Sequence, residues 1–395
     1  MNETTDGVCN MEAAIMKNIK GKIGLMASSL LMMSFLTPTS VLADIAAAFP
    51  DVSLQTVQMI TSMPCLIGVI SALLVGKMTP YFYKRHLIIA ATLFYLAGGL
   101  FPAFFHQTVW HILFGAGLLG VGLGIMLTCV AALICECYDE RESGLLIGFQ
   151  AAFISGGGMV FTWLGGQLGK AQWENAFFAY VLVILIVVID LLWLPQGKLE
   201  IKKAGNGNKE RIPFQVWFYA LTGFLVYIFI TVYNSNISML VGIREFGGAI
   251  EASYATMCYT FAGMIAGCVS GYLIPKLKEY TFVLSTLMAA VGMMLAFLSG
   301  HLLALYAGGL FCGAAFSTFT PAGNYFAAQK AGQNNRSFCI AVFTSISNLG
   351  QAVSPLVIAW IMKPFSITQR FLGTAVAFVL ITVLILFGIH GKESR

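Results

Sequence analysis

Apolar stretches of about 20 residues alternate along this chain with short polar breaks, and twelve of them begin near residues 23, 57, 86, 110, 145, 176, 214, 252, 281, 302, 338 and 371. At about 1.5 Å per residue, each is long enough to cross a hydrocarbon core of about 30 Å as a helix. Lipid offers the backbone no hydrogen-bond partner, so each segment must satisfy its own N–H and C=O groups, and the pattern predicts twelve transmembrane helices in an all-α membrane protein.

A repeat underlies the pattern. The polar break Gly76–His86 (GKMTPYFYKRH) returns as Gly271–Tyr280, with Gly76 opposite Gly271 and Pro80 opposite Pro275, 195 residues on. Phe149 and Gly156 fall opposite Phe343 and Gly350 at an offset of 194. One unit of about half the chain is used twice. The expected organisation is a cytoplasmic segment 1–22, a six-helix bundle 23–195, a Lys-, Gly- and Asn-rich linker 196–213, a second, pseudo-symmetric six-helix bundle 214–390 and a tail 391–395.

Composition and charge sharpen the class. Hydrophobic residues are 58% of the chain and charged residues 10%, against about 45–50% and 25% in water-soluble domains. With the N-terminus and the linker inside, only Lys170, Arg244, Lys363 and Arg370 of the 22 Lys and Arg residues fall outside, the bias expected of an even number of spans. The net charge of +5 is thus a topology signal and implies no nucleic-acid partner. Cys135-Glu-Cys137 lacks metal-finger spacing, and the nine cysteines read as small buried hydrophobes, so neither metal nor cofactor is expected.

Catalytic motifs are missing or misplaced. H-E-x-x-H and G-x-S-x-G do not occur. Gly115–Gly120 fits a dinucleotide fingerprint, but it lies inside an apolar span, where small residues serve close helix approach. The chain is not expected to be an enzyme.

Twelve spans in two similar halves, with a basic turn after the second span and its echo after the eighth, resemble the major facilitator superfamily of transporters over essentially the whole chain. That family carries G-x-L-A-D-R-x-G-R-R after its second span. Gly76, Lys84 and Arg85 match it, whereas Pro80 replaces the Asp, Tyr81 the first Arg and Tyr83 the second Gly. The antiporter pattern of the fifth span is also degenerate, with Phe161-Thr162 in place of Gly-Pro. The resemblance implies a cavity lined by spans one, four, seven and ten. It also implies a cytoplasmic gate at Gly76, Lys84, Arg85, Glu136 and Arg141; a hydrated charged turn explains the last two equally well.

Polar residues inside apolar spans mark the candidate substrate site: Ser34 and Thr37 in span one, Tyr227, Tyr233, Asn234 and Asn236 in span seven, Thr320 and Asn324 in span ten, Asn348 in span eleven. Pro321 predicts a bent or interrupted span ten, and Gly263, Gly267 and Gly271 predict a close-packing ridge on span eight. Three residues are candidates for carrying a proton. His111 stands where the family has Arg and can titrate near neutrality, although a His near a span end also serves as an interfacial polar group. Asp190 lies one short stretch from the end of span six and reads first as structural; Asp44 follows the first span and is equally well a solvated cap.

With almost no fixed charge at depth, the cavity spans suit a neutral, zwitterionic or amphipathic organic molecule. The expected function is secondary active transport by alternating access, coupled to protons, across a prokaryotic cytoplasmic membrane, by a monomer with both termini inside. An uncoupled uniporter or exchanger keeps the fold without the coupling; a non-transporting receptor or scaffold is the reading from another class.

Overall fold

The computed structural model describes residues 18–79, 81–197, 213–330 and 336–393. Pro80, the N-terminal segment through residue 17 and linker residues 198–212 lie outside these. Among the described residues, twelve helices are long and apolar enough to span a membrane. They are span 1 (Asn18–Ser40), span 2 (Leu54–Gly76), span 3 (Lys84–Phe104), span 4 (Val109–Cys137), span 5 (Leu145–Gly169) and span 6 (Trp173–Trp193). In the second half they are span 7 (Phe214–Ile243), span 8 (Ala249–Leu277), span 9 (Tyr280–Leu298), span 10 (Leu302–Lys330), span 11 (Cys339–Ile361) and span 12 (Ile367–Ile389). The described residues hold no strand.

Each set of six spans buries its own apolar cluster, with Leu31, Ile88, Tyr95, Met126 and Tyr180 in the first and Tyr233, Phe282, Met293, Phe319 and Phe371 in the second. The same packing scheme occurs twice: spans 1 with 5, 2 with 4, 3 with 4 and 3 with 6, then 7 with 11, 8 with 10, 9 with 10 and 9 with 12. The halves meet along spans 5 and 8 and along spans 2 and 11.

Glycines set the closest approaches, and they do so at equivalent places. A Cβ at Gly98 would lie 2.6 Å from the Gly115 carbonyl oxygen, and one at Gly292 would lie 2.8 Å from that of Gly308. The expected pairing of Gly156 with Gly350 is off by one. Gly156 faces open space, whereas Cβ atoms at Gly157 and Gly350 would meet the Leu30 and Phe224 carbonyl oxygens at 1.9 and 2.3 Å. Phe149 is exposed although its repeat partner Phe343 is fully buried. The expected ridge on span 8 is also corrected, because only Gly263 is packed, against Ser317, and Gly267 and Gly271 have nothing within 4 Å. Pro321 does not interrupt span 10, whose α-helix runs unbroken over Leu302–Lys330.

Span 1 changes winding halfway. Its second part, Leu30–Ser40, is a 3-10 helix containing Pro38. The hydroxyls of Ser34, Thr37, Thr39 and Ser40 donate to carbonyls three residues back, at 2.8, 2.6, 2.6 and 3.1 Å. Tighter i→i+3 winding brings Ser34, Thr37 and Ser40 over one another, and the side chains supply local bonds within an apolar setting.

Candidate functional site

The bundle has two ends. At the linker end lie Lys84, Glu136, Trp193 and Phe214; at the far end lie Ser40, Val109, Gly169, Ile243 and Ala249. Cross-half hydrogen bonds gather toward the far end. Ser238 Oγ donates to the Ser40 carbonyl at 2.9 Å and accepts the Ala43 N–H at 3.2 Å. Gln58 Nε2 donates to Asn236 Oδ1 at 2.8 Å and to the Ser235 carbonyl at 3.4 Å. Gln58 and Asn236 are each 1% exposed, so these bonds form inside protein, where a polar group without a partner is costly.

Between the halves lies a cavity of about 470 Å³, within the range of small-molecule sites. Spans 1, 2, 4 and 5 contribute Met32, Met33, Phe35, Leu36, Cys65, Val69, Leu123, Leu127, Thr128 and Ile154, and spans 7, 8, 10 and 11 contribute Tyr227, Asn234, Tyr259, Phe316, Thr320, Thr344, Ser345, Asn348 and Gln351. Its walls reach Ala72, Ile340 and Ala341 toward the linker end. Among the described residues, the lining contains no Asp, Glu, Lys, Arg or His.

Local bonds preset much of the polar wall. The Tyr227 and Thr320 hydroxyls are 2.6 Å apart, and Thr320 also donates to the Phe316 carbonyl at 2.9 Å. Thr344 Oγ1 donates to Asn324 Oδ1 at 3.1 Å. Phe316 lies against both Tyr227 and Tyr259, at 5.0 and 6.3 Å between ring centres. Asn234 is 5% exposed, and its Oδ1 has no hydrogen-bond partner.

Of the residues singled out from sequence for substrate binding, Tyr227, Asn234, Thr320 and Asn348 line this cavity. Ser34 and Thr37 are buried in the first half, with the Ser34 carbonyl accepting from Tyr180 at 2.8 Å. Tyr233 is buried, donates to the Leu305 carbonyl at 3.1 Å and stacks on Tyr259. Asn236 belongs to the far-end contact with Gln58, and Asn324 bridges spans 10 and 11. Sequence reasoning missed Gln58, one of several polar residues near the start of span 2, and also Met32, Met33 and Cys65, which look like ordinary apolar span residues.

None of the three proton candidates lines the cavity. His111 sits at the far end of span 4 with its ring edge toward Phe101, and its Nδ1 is without a hydrogen-bond partner. Asp190 is fully buried and accepts from Ser28 at 2.8 Å and Thr92 at 2.6 Å, which ties span 6 to spans 1 and 3. Asp44 lies on the short helix Leu42–Ala48 and lines a second hollow of about 570 Å³ with Lys170, Glu174 and Glu251. Partial burial raises its carboxyl above the ordinary carboxylate range.

At the linker end, Lys84 pairs with Glu136 and Lys22 with Glu142. Lys84 is 1% exposed. Arg85 donates to the Leu191 carbonyl at 2.5 Å, so the basic turn fastens spans 3, 4 and 6 of one half together. Gly76 is exposed with open space around it, and the Arg141 side chain lies outside the described residues. The echo in the second half replaces Lys84 by Glu279, which accepts from Tyr219 at 2.7 Å.

Comparison with known proteins follows the same lines. Among solved structures, a variant of the nucleoside transporter NupG superposes with a TM-score of 0.77 at 11% identity, covering 92% of this chain and 98% of that one. A POT family transporter in complex with a thioalcohol-conjugated peptide gives 0.69 at 12% identity, covering 93% and 96%. These likenesses establish the fold. The MFS-type efflux transporter ffsH of Aspergillus flavipes is 26% identical over 178 residues, which is 41% of this chain and 31% of that protein. The family model of the Major Facilitator Superfamily matches residues 23–222 and 219–395. With twelve spans and a match along nearly its whole length, the chain belongs to the major facilitator superfamily and is a membrane transporter of that kind.

Proposed function

We propose that the protein is a secondary active transporter of a small neutral, zwitterionic or amphipathic organic molecule, moving it across the cytoplasmic membrane by alternating access with a proton as coupling ion. The observation that carries the reading is the cavity between the halves, drug-sized and without a charged residue among the described residues of its walls. A multiply charged substrate would leave water there and find no counter-ion. The termini and the linker are cytoplasmic, as the distribution of Lys and Arg favours, so this conformation faces inward: its cavity reaches toward the linker end, and the cross-half bonds lie toward the outer end. Rocking of the two halves would open the site to one side and then the other. The protein acts as a monomer and catalyses no covalent chemistry.

The proton acts through His111, Asp190 or Asp44. In proteoliposomes, transport is expected to rise with an imposed pH gradient and to lose that dependence in His111→Ala or Asp190→Asn. Indifference of the wild type to the gradient would remove the proton and leave the uniporter or exchanger. Full coupling in each of the single variants would remove those residues.

A further inference from the structure

We infer that a hollow at the linker end of the second half binds the phosphate of an anionic lipid from the adjoining leaflet, through the ammonium groups of Lys278 and Lys330. The hollow has a volume of about 500 Å³ and lies between the last turns of spans 8, 10 and 12 and the start of span 9. It shares no lining residue with the cavity between the halves, so the inference stands apart from substrate and coupling. The repeat shows why an anion is missing there. In the first half this end balances its own charge, because Lys84 pairs with Glu136. Gly115 relates to Gly308 at an offset of 193 residues and Phe149 to Phe343 at 194. The place of Glu136 therefore falls to Gln329 or Lys330, and neither is an acid. The base is kept, since Lys278 stands 194 residues after Lys84.

Among the described residues, the walls of the hollow carry two ammonium groups and one carboxylate. That carboxylate, Glu279, accepts from the Tyr219 hydroxyl at 2.7 Å. Lys278 and Lys330 are both exposed, and neither side chain forms an ion pair or hydrogen bond with a described residue. Lys276, two residues before Lys278, is instead taken by the Tyr272 hydroxyl. Lys278 also holds an unusual backbone, with φ 50° and ψ −136°, the corner of a tight turn where glycine is the unstrained residue. Strain of this kind gathers at binding sites. Two accessible ammoniums with free donors suit a phosphate. The rim selects a lipid over a soluble anion: Tyr280 and Tyr325 are 43% and 44% exposed at span ends, where aromatic rings sit at headgroup level. Ile274, Pro275, Phe326 and Ile389 give the glycerol and first methylenes an apolar seat. Basic pockets between spans hold anionic headgroups, and phosphatidylcholine, which brings its own cation, does not supply the missing charge.

The test is thermal unfolding of the full-length protein, purified in detergent, stripped of lipid and titrated with phosphatidylglycerol, phosphatidylcholine or inorganic phosphate. Phosphatidylglycerol is expected to raise the unfolding temperature saturably, and the other two to leave it unchanged. Lys278→Gly and Lys330→Gln should each raise the half-saturating concentration about fivefold or more, the worth of one lysine at an anionic headgroup. Lys278→Gly suits the turn it sits in, so without lipid it should unfold no earlier than the parent, and its loss of lipid binding is then not a folding defect. Lys330→Arg keeps the charge and should keep most of the effect, and Lys363→Gln, at the exposed far end, should keep all of it. No saturable protection, equal protection by phosphatidylcholine, or parent-like binding in both Lys278→Gly and Lys330→Gln would each overturn the inference. Protection by inorganic phosphate to which phosphatidylglycerol adds nothing would do so too, by giving the hollow to a soluble phosphate.

Discussion

The far-end contact between Gln58 and Asn236 is a latch whose worth can be worked out. Gln58 Nε2 donates to Asn236 Oδ1 at 2.8 Å while Asn236 Nδ2 is held by the Val232 carbonyl at 2.9 Å. In Gln58→Leu the closed far end keeps its volume but leaves the Asn236 oxygen buried without that donor, at a cost of about 1–3 kcal/mol. In the open state water reaches Asn236 and nothing is lost. The whole penalty therefore falls on one conformation and shifts the equilibrium toward far-end opening by about 5- to 150-fold. Spin labels at Ala171 and Gly248, both exposed at the far end in opposite halves, report the change as a longer distance population in electron–electron resonance. Asn236→Leu should act in the same direction, and the double variant should cost less than the sum of the two, because each single change strands a group that the other removes. Unchanged distances in Gln58→Leu, or strict additivity in the cycle, would refute the latch.

Other consequences follow from the same geometry. Glu136→Gln removes the negative charge facing the Lys84 ammonium, which is 1% exposed, and should destabilise the protein, seen as a lower thermal unfolding temperature in detergent; an unchanged temperature would contradict the buried pair. Gly157→Ala and Gly350→Ala each drive a Cβ into a facing carbonyl at 1.9 and 2.3 Å and should cost about 1–3 kcal/mol, while Gly156→Ala and Gly267→Ala, which face open space, should stay within about 0.5 kcal/mol of the parent. Burial raises the Asp44 carboxyl in the closed far end, so its ionised form opposes closure. Closure should strengthen as pH falls through that raised value, and the Ala171–Gly248 distances should lose pH response in Asp44→Asn; an unchanged response would contradict this.

The spans were legible because a helix in lipid declares itself by composition: observed starts at residues such as 145, 214 and 302 coincide with those read from the apolar runs. Packing between spans was less so. Gly263, Gly267 and Gly271 share one spacing, yet only Gly263 meets a neighbour, since whether a small residue is packed depends on which partner lies opposite it in this conformation. Polarity in span 7 drew attention to Tyr227, Tyr233, Asn234 and Asn236 together, and the structure separates them into cavity wall, buried core and far-end latch. Helical periodicity cannot make that division without knowing where the other half lies. The apolar wall of Met32, Met33 and Leu123 was invisible for the opposite reason, because a cavity-facing methionine and a lipid-facing one look alike in sequence.

The central claim is a hollow between the halves that is reached first from the linker side and opens to the other side when the far-end latch is released. Alkylation of Cys65, which lines that hollow, tests it most directly in sealed vesicles of known orientation, with the exposed Cys135 as the marker for the linker side. The account predicts that a maleimide applied from the linker side modifies Cys65 in the parent protein, and that in Gln58→Leu the thiol also becomes reactive from the far side. Modification of Cys135 without Cys65 from the linker side, together with far-side reactivity unaffected by Gln58→Leu, would contradict it.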